Sequence, residues 1–493
     1  MQLFRTKSVE QTIAETGEEG RKLKRNLTWW DLSIMGVAVA VGAGIFSVGA
    51  QAAAFHAGPA VMCYAEFASM IPVAGSAYTF TYTTVGEIMA WIIGWDLILE
   101  MLMAGSVISK YWGVYLNDFM RLMGWNANTN LTFGSFHIDI APIIIVAFFT
   151  TLLVFGTKIG ARVDGAMTVL KIAIVFFVVI VGFFYVKASN FTPFIPPSQP
   201  ASTVEGSSAV TGVMTQPLWQ FATGMTPSVY GVPGILSGAA LVFFAFIGFD
   251  VVATASEETK NPHKNVPLGI GVGMLLIIVM YMLVAVVTTG MVSYADLAKQ
   301  DSPSLATAFE LVGADWAAKI ISFGIVLGLA TVVMVLLLGL TRIVFAMSRD
   351  GLLPRGLSKT GKHGTPAALQ IVVGAVVALV AAFFDIGVLS DMVNIGTLSA
   401  FTLVAISIPI MRKKRPDLPR AFKMPGSPWI PILIAVANFW LMLNLSVLTW
   451  IRFVVWLVVG FAIYFGYGYW HARLGKGDLT ETLSAETDKA VNG

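Results

Sequence analysis

The chain has 493 residues, of which 56% are apolar and only 12% charged, about half the charged share of an ordinary soluble domain. That composition excludes a water-soluble globule. With 47 Gly, 22 Met, 33 Phe and 13 Trp in long uncharged runs, it fits an all-α polytopic membrane protein of roughly a dozen spans of ~20 residues. The formal charge of +3 is too small to suggest a nucleic-acid partner. One cysteine, Cys63, excludes an internal disulfide and a Cys-based metal site, and His56, His137, His263, His363 and His471 lack ligand spacing. No metal, haem or other cofactor is implied.

Residues 1–28 are polar and of mixed charge, without the short apolar core of a secretory signal, and read as a cytoplasmic tail. Candidate spans follow near 29–55, 57–72, 87–109, 141–157, 164–186, 231–257, 266–291, 314–345, 366–384, 388–411, 428–449 and 450–472, so that 29–472 forms one membrane domain. The second span is unusually short. At roughly 1.5 Å per residue it reaches only ~24 Å, against ~30 Å of hydrocarbon. Lysine and arginine arbitrate, because they collect in cytoplasmic loops. With twelve crossings and both ends inside, the outer segments hold only Lys110, Arg121, Lys187, Lys299, Lys319 and Arg452, while Lys171 and Arg342 lie within spans. The bias survives only if 57–72 crosses. Residues 187–230, rich in Pro, Ser, Thr and Gly, read as a long extracellular loop, and 473–493 as a cytoplasmic carboxy-terminal tail. Asn26, Asn130, Asn190 and Asn444 each begin a weak match to the glycosylation pattern.

Two spans carry glycines near their middles. The first contains Gly42, Ala43, Gly44 and Ile45; the sixth contains Phe244, Ala245, Phe246, Ile247 and Gly248, followed by Asp250. An unwound turn exposes backbone groups that lipid cannot satisfy, so it is tolerable only around a cavity or ligand. Amides from Gly44 onward, at the positive end of a second half-helix, suit a carboxylate, and carbonyls around 244–247 suit an ammonium. Together they describe an α-amino-acid site. The competing reading is close helix packing through glycine, and the pairing of the two interruptions argues against it.

Lys171 lies seven residues into the fifth span. An intramembrane amine is expensive, so it should face the protein interior as a candidate proton-loading group, with snorkelling to the cytoplasmic interface as the alternative. Asp96 and Glu100 sit four apart on one helix face. Glu100 is a candidate for reading a cationic side chain or for structural hydrogen bonding. Arg342, Glu257 and Glu258 read as interfacial charges.

The motifs Gly42-Ala43-Gly44-Ile45-Phe46, Cys63-Tyr64-Ala65-Glu66-Phe67-Ala68, Gly94-Trp95-Asp96, Ala255-Ser256-Glu257-Glu258 and Phe345-Ala346-Met347-Ser348-Arg349-Asp350-Gly351 occur in this order. In them, from about residue 23 to 471, the chain resembles the amino acid-polyamine-organocation superfamily, specifically bacterial relatives of the cationic amino acid transporters. The resemblance implies a five-plus-five inverted repeat with two additional helices and broken helices one and six. It implies a proton-coupling role for Lys171, with Thr331 as its candidate neighbour. Three departures stand out: a truncated second helix, Ala43 where many relatives carry a larger or hydroxylated residue, and the length of 187–230.

The expected function is therefore secondary active, proton-coupled uptake of α-amino acids, cationic ones among them, by alternating access across the plasma membrane. The partners are amino acid substrate, protons and the lipid bilayer, with no nucleic acid. Phe246 is a candidate aromatic gate. The alternatives are an amino acid exchanger, or a sensor or scaffold that binds amino acid but does not transport it because its second helix is incomplete. No nucleophile-base constellation, phosphate loop or metal motif argues for an enzyme.

Overall fold

The computed structural model describes residues 28–42, 44–48, 86–125, 129–133, 136–155, 157–200, 212–243, 259–300, 304–359, 365–414 and 426–472. The expected tails, the short span 57–72, Ala43 and the stretch 244–248 lie outside the described residues.

Helix α1 spans Trp29–Ala40 and is followed by a π turn over Gly44–Val48; α2 spans Glu87–Leu122. Strands β1 (Asn130–Phe133) and β2 (Phe136–Asp139) form an antiparallel hairpin before α3 (Ile140–Phe155) and α4 (Thr157–Phe183). The long polar stretch contains β3 (Gln199–Pro200), α5 (Leu218–Thr223) and β4 (Ser228–Val229), β3 pairing with β4. Then come α6 (Gly231–Val242), α7 (Pro262–Met291), α8 (Tyr294–Ala298), α9 (Leu305–Leu311), α10 (Asp315–Arg349), α11 (Ala367–Phe383), α12 (Ile386–Lys414), α13 (Trp429–Leu443) and α14 (Val447–Ile463).

Among the described residues, five helical stretches are long and apolar enough by length and composition to cross a membrane: Glu87–Leu122, Leu268–Met291, Asp315–Arg349, Ile386–Ile410 and Val447–His471. Shorter apolar helices accompany them. Large apolar side chains face outward on several, including Phe148 and Phe155 on α3, Phe176 and Phe183 on α4, Leu433 and Trp440 on α13 and Val454 and Val458 on α14. In water such patches would be a liability, and against lipid they are the expected surface of a polytopic membrane protein.

Two boundaries differ from the apolar runs. Helix α2 continues past residue 109 to Leu122, and α4 begins at Thr157 rather than near 164. Hydropathy marks the part of a helix that sits in hydrocarbon, whereas backbone hydrogen bonding continues through polar residues such as Asn117 and Asp118. With 36 residues at roughly 1.5 Å each, α2 is far longer than the ~30 Å core of a bilayer. Its projecting end is tied down by Arg121, which donates to both carboxylate oxygens of Glu310 on α9 at 3.1 and 3.2 Å.

Helices α2 and α10 are largely buried and pack together at the centre. Gly105 lets α2 approach closely: a Cβ there would lie 3.9 Å from Leu336 on α10 and 3.5 Å from Val377 on α11. Helix α14 docks on the other side of α2 through stacked Trp95 and Trp456, 4.4 Å between ring centroids. The Trp91 and Trp95 indoles donate to the Gly460 and Trp456 carbonyls at 3.1 and 2.9 Å. The loop 187–230 is also anchored. Leu218 N–H donates to the Leu445 carbonyl and Val447 N–H to the Gln216 carbonyl, stapling it to the turn between α13 and α14. Two of the glycosylation-pattern asparagines are engaged, Asn190 Nδ2 with the Gly290 carbonyl and Asn444 Nδ2 with that of Trp440.

Candidate functional site

Helix α1 starts with a capping box, Thr28 accepting from Asp31 N–H while the Asp31 carboxylate accepts from Thr28 N–H. It is seated on α7 by small residues. Ser33 Oγ donates to the Gly269 carbonyl at 3.0 Å, and a Cβ on Gly269 would lie 2.7 Å from that of Leu32.

The far end of α1 is where its backbone pattern changes. Val41 N–H still reaches back to the Val37 carbonyl at 2.8 Å, but Gly42 N–H turns to Ala40 at 2.8 Å instead of Ala38. The Ala38 carbonyl therefore loses its helical partner, and Lys171 Nζ supplies a replacement at 2.8 Å. The Ala40 carbonyl accepts from the Tyr281 hydroxyl at 2.7 Å, and the Phe46 carbonyl from the Tyr115 hydroxyl at 2.6 Å. Tyr281 also hydrogen-bonds to the backbone of Ile45. Three buried donors, from α4, α7 and α2, thus stand in for water at a place where hydrocarbon could not. Gly42, Gly44 and Ile45 are buried there.

Lys171 has no exposed surface. Its stem lies against Gly328 on α10, where a Cβ would come 3.0 Å from Lys171 Cγ. One turn earlier in α10, Gly324 faces Ile174 in the same way, so these two glycines of α10 follow the buried face of α4. Thr331 is buried on α10 and donates to the Gly328 carbonyl at 3.1 Å. Lys171, Gly328 and Thr331 therefore share one region between α1, α4 and α10.

On α2, Asp96 and Glu100 are both fully buried. Asp96 accepts from Ser399 of α12 at 2.8 Å, and the fully buried Glu87 at the start of α2 accepts from Tyr464 at 2.9 Å. Helix α6 carries the chain to Phe243, whose ring meets Phe401 of α12 at 5.9 Å. Phe244, Ala245, Phe246, Ile247 and Gly248 follow beyond the described residues. Just before α3, burial holds the Asp139 carboxyl above the usual carboxylate range, and nearby Lys110 draws it back down. Among the described residues no group of His, Cys, Asp and Glu is arranged to hold a metal ion.

Sequence reasoning did not single out Tyr115, Tyr281 or Ser399. The only local signal was a hydroxyl-bearing residue inside an apolar helix, too common to choose among.

Residues 27–467 match the family described as amino acid permease. The chain is 41% identical to the branched-chain amino acid permease BcaP of Bacillus subtilis (strain 168), over 96% of this chain and 99% of that protein. It is 36% identical, with the same coverage, to a methylthioribose transporter of the same strain. To the vacuolar cationic amino acid transporter 4 of Arabidopsis thaliana it is 33% identical, over 84% of this chain and 68% of that one. These relatives are named as permeases and transporters, not as enzymes.

Proposed function

Because the chain belongs to the amino acid permease family, we propose that it carries α-amino acids across the plasma membrane by proton-coupled alternating access. The amides of Gly42, Ala43, Gly44 and Ile45 receive the substrate carboxylate, and the carbonyls of Phe244, Ala245, Phe246 and Ile247, with the flexibility of Gly248, receive its ammonium. Phe246 serves as the aromatic gate. Glu100, buried in α2, faces the substrate side chain and admits cationic ones. The supporting architecture is a five-plus-five inverted repeat with two additional helices, both termini cytoplasmic.

The observation that carries this reading is the contact of Lys171 Nζ with the Ala38 carbonyl. That carbonyl belongs to the last turn of α1, the negative end of a helix dipole, where a positive charge is favoured. A protonated Lys171 holds α1 against α4 by a charge-assisted bond, and the neutral amine holds it more weakly. Loss of the proton therefore loosens the helix whose end binds substrate. Proton occupancy and substrate occupancy act on one structural element, which is what coupling requires.

The test is uptake of labelled amino acids into proteoliposomes under an imposed pH gradient, with competition by branched-chain, cationic and small amino acids. Accumulation above empty liposomes that collapses with a protonophore supports the proposal. Absence of uptake for every amino acid rejects it. The 36% identity to a methylthioribose transporter favours a second reading, in which the cargo is a neutral sugar derivative. Methylthioribose as competitor separates the two.

A further inference from the structure

Asp96 lies within α2, one turn before Glu100, with no exposed surface. Its Oδ2 accepts from the Ser399 hydroxyl at 2.8 Å, and its Oδ1 has no hydrogen-bond partner among the described residues. Among the described residues no Lys, Arg or His pairs with it. Glu100 is the other acid on this face. The helices packed on α2 carry Asp315 and Lys319 at the start of α10, Arg342 and Arg349 toward its end, Asp391 and the terminal Arg412, Lys413 and Lys414 on α12, and Arg452 on α14, and Asp391 accepts from Thr449. A carboxyl inside a membrane protein with one empty oxygen and no counter-charge is costly as a structural element alone, which points to a functional role.

Its partner Ser399 sits on a helix that leads toward the expected substrate site. Gly396 brings α12 against α2, a Cβ there lying 3.5 Å from the Asp96 carbonyl. Two residues beyond Ser399, Phe401 meets Phe243, directly before the stretch 244–248. A hydroxyl donating to a carboxylate makes a bond roughly twice as strong as one to a neutral acid. The state of one carboxyl therefore alters how firmly α12 is held to α2, and α12 touches the end of α6.

We infer that Asp96 is a second proton-binding site of the transport cycle, separate from Lys171, and that Ser399 and α12 relay its occupancy to the substrate site. The step is addition of one proton to the carboxylate and its later release, with water at either face as source and sink. This rests on the permease reading given above.

The experiment compares wild type, Asp96→Asn, Asp96→Glu and Ser399→Ala in proteoliposomes, measuring counterflow exchange of amino acid and, with a pH dye, substrate-driven proton movement. Asp96→Asn is expected to keep counterflow while proton movement and gradient-driven accumulation fall about tenfold or more, and Asp96→Glu to restore both. Ser399→Ala keeps the carboxyl, so coupling persists with a displaced pH profile of uptake. Wild-type proton movement in Asp96→Asn, or an unchanged pH profile in Ser399→Ala, overturns the inference while leaving amino acid transport standing. Absence of counterflow in the wild-type chain overturns the permease reading and this inference with it.

Discussion

Gly328 and Lys171 form a matched pair: the space that a side chain would occupy on α10 is filled by the aliphatic stem of the lysine, 3.0 Å from the position of a Cβ at Gly328. The same lysine ends on the Ala38 carbonyl. Its reach across to α1 thus depends on the absence of a side chain on α10.

A methyl group introduced by Gly328→Ala should push Lys171 off Ala38. Overpacking of this kind costs about 1 to 3 kcal/mol. The expected outcome is a lower unfolding temperature in detergent and reduced uptake. Uptake and stability equal to wild type would show that the stem adjusts freely.

Replacing the amine itself separates packing from hydrogen bonding. Lys171→Met keeps the stem but leaves the Ala38 carbonyl without its donor, a loss of about 1 to 3 kcal/mol for a buried polar group. Gradient-driven accumulation of amino acid should vanish, whereas exchange persists. Accumulation at the wild-type level in this variant would leave the lysine a purely structural role.

The two tyrosines give an independent reading of the interruption after α1. Tyr281→Phe removes one of two donors to the Ala40 carbonyl, leaving Gly42 N–H, and Tyr115→Phe removes the hydroxyl donor to that of Phe46. Each should destabilise by about 1 kcal/mol and weaken apparent substrate affinity, read as a raised KM for uptake. The double variant is expected to lose more than either alone, since both donors brace one segment. Single variants with unchanged KM and stability would mean that the segment holds its shape unaided.

Docking of α14 depends on one glycine. A Cβ at Gly460 would fall 2.5 Å from the Trp95 ring, and Trp91 donates to that residue's carbonyl. Gly460→Leu should therefore displace α14 and lower stability by about 1 to 3 kcal/mol or more, measured by thermal unfolding in detergent. Trp456→Ala combined with Gly460→Leu should cost less than the sum of the single changes, because both act on one interface.

Composition and hydropathy alone settle the membrane class, because transfer of apolar side chains into lipid is a local property that each stretch carries by itself. Charge distribution gives an expected topology, and glycine spacing marks the point where α1 stops, since a backbone freed of side chains is visible in the sequence. Lys171 is conspicuous for the same reason: its cost in hydrocarbon needs no knowledge of its neighbours. Which donors take over the carbonyls around that point was decided only by the tertiary structure. Lys171 meets a residue 133 positions away, Tyr281 one 241 away, and Ser399 reaches Asp96 across 303. Those pairings arise from how helices stack, and any buried hydroxyl or amine in a dozen apolar segments is locally an equal contender until packing brings one of them within 3 Å.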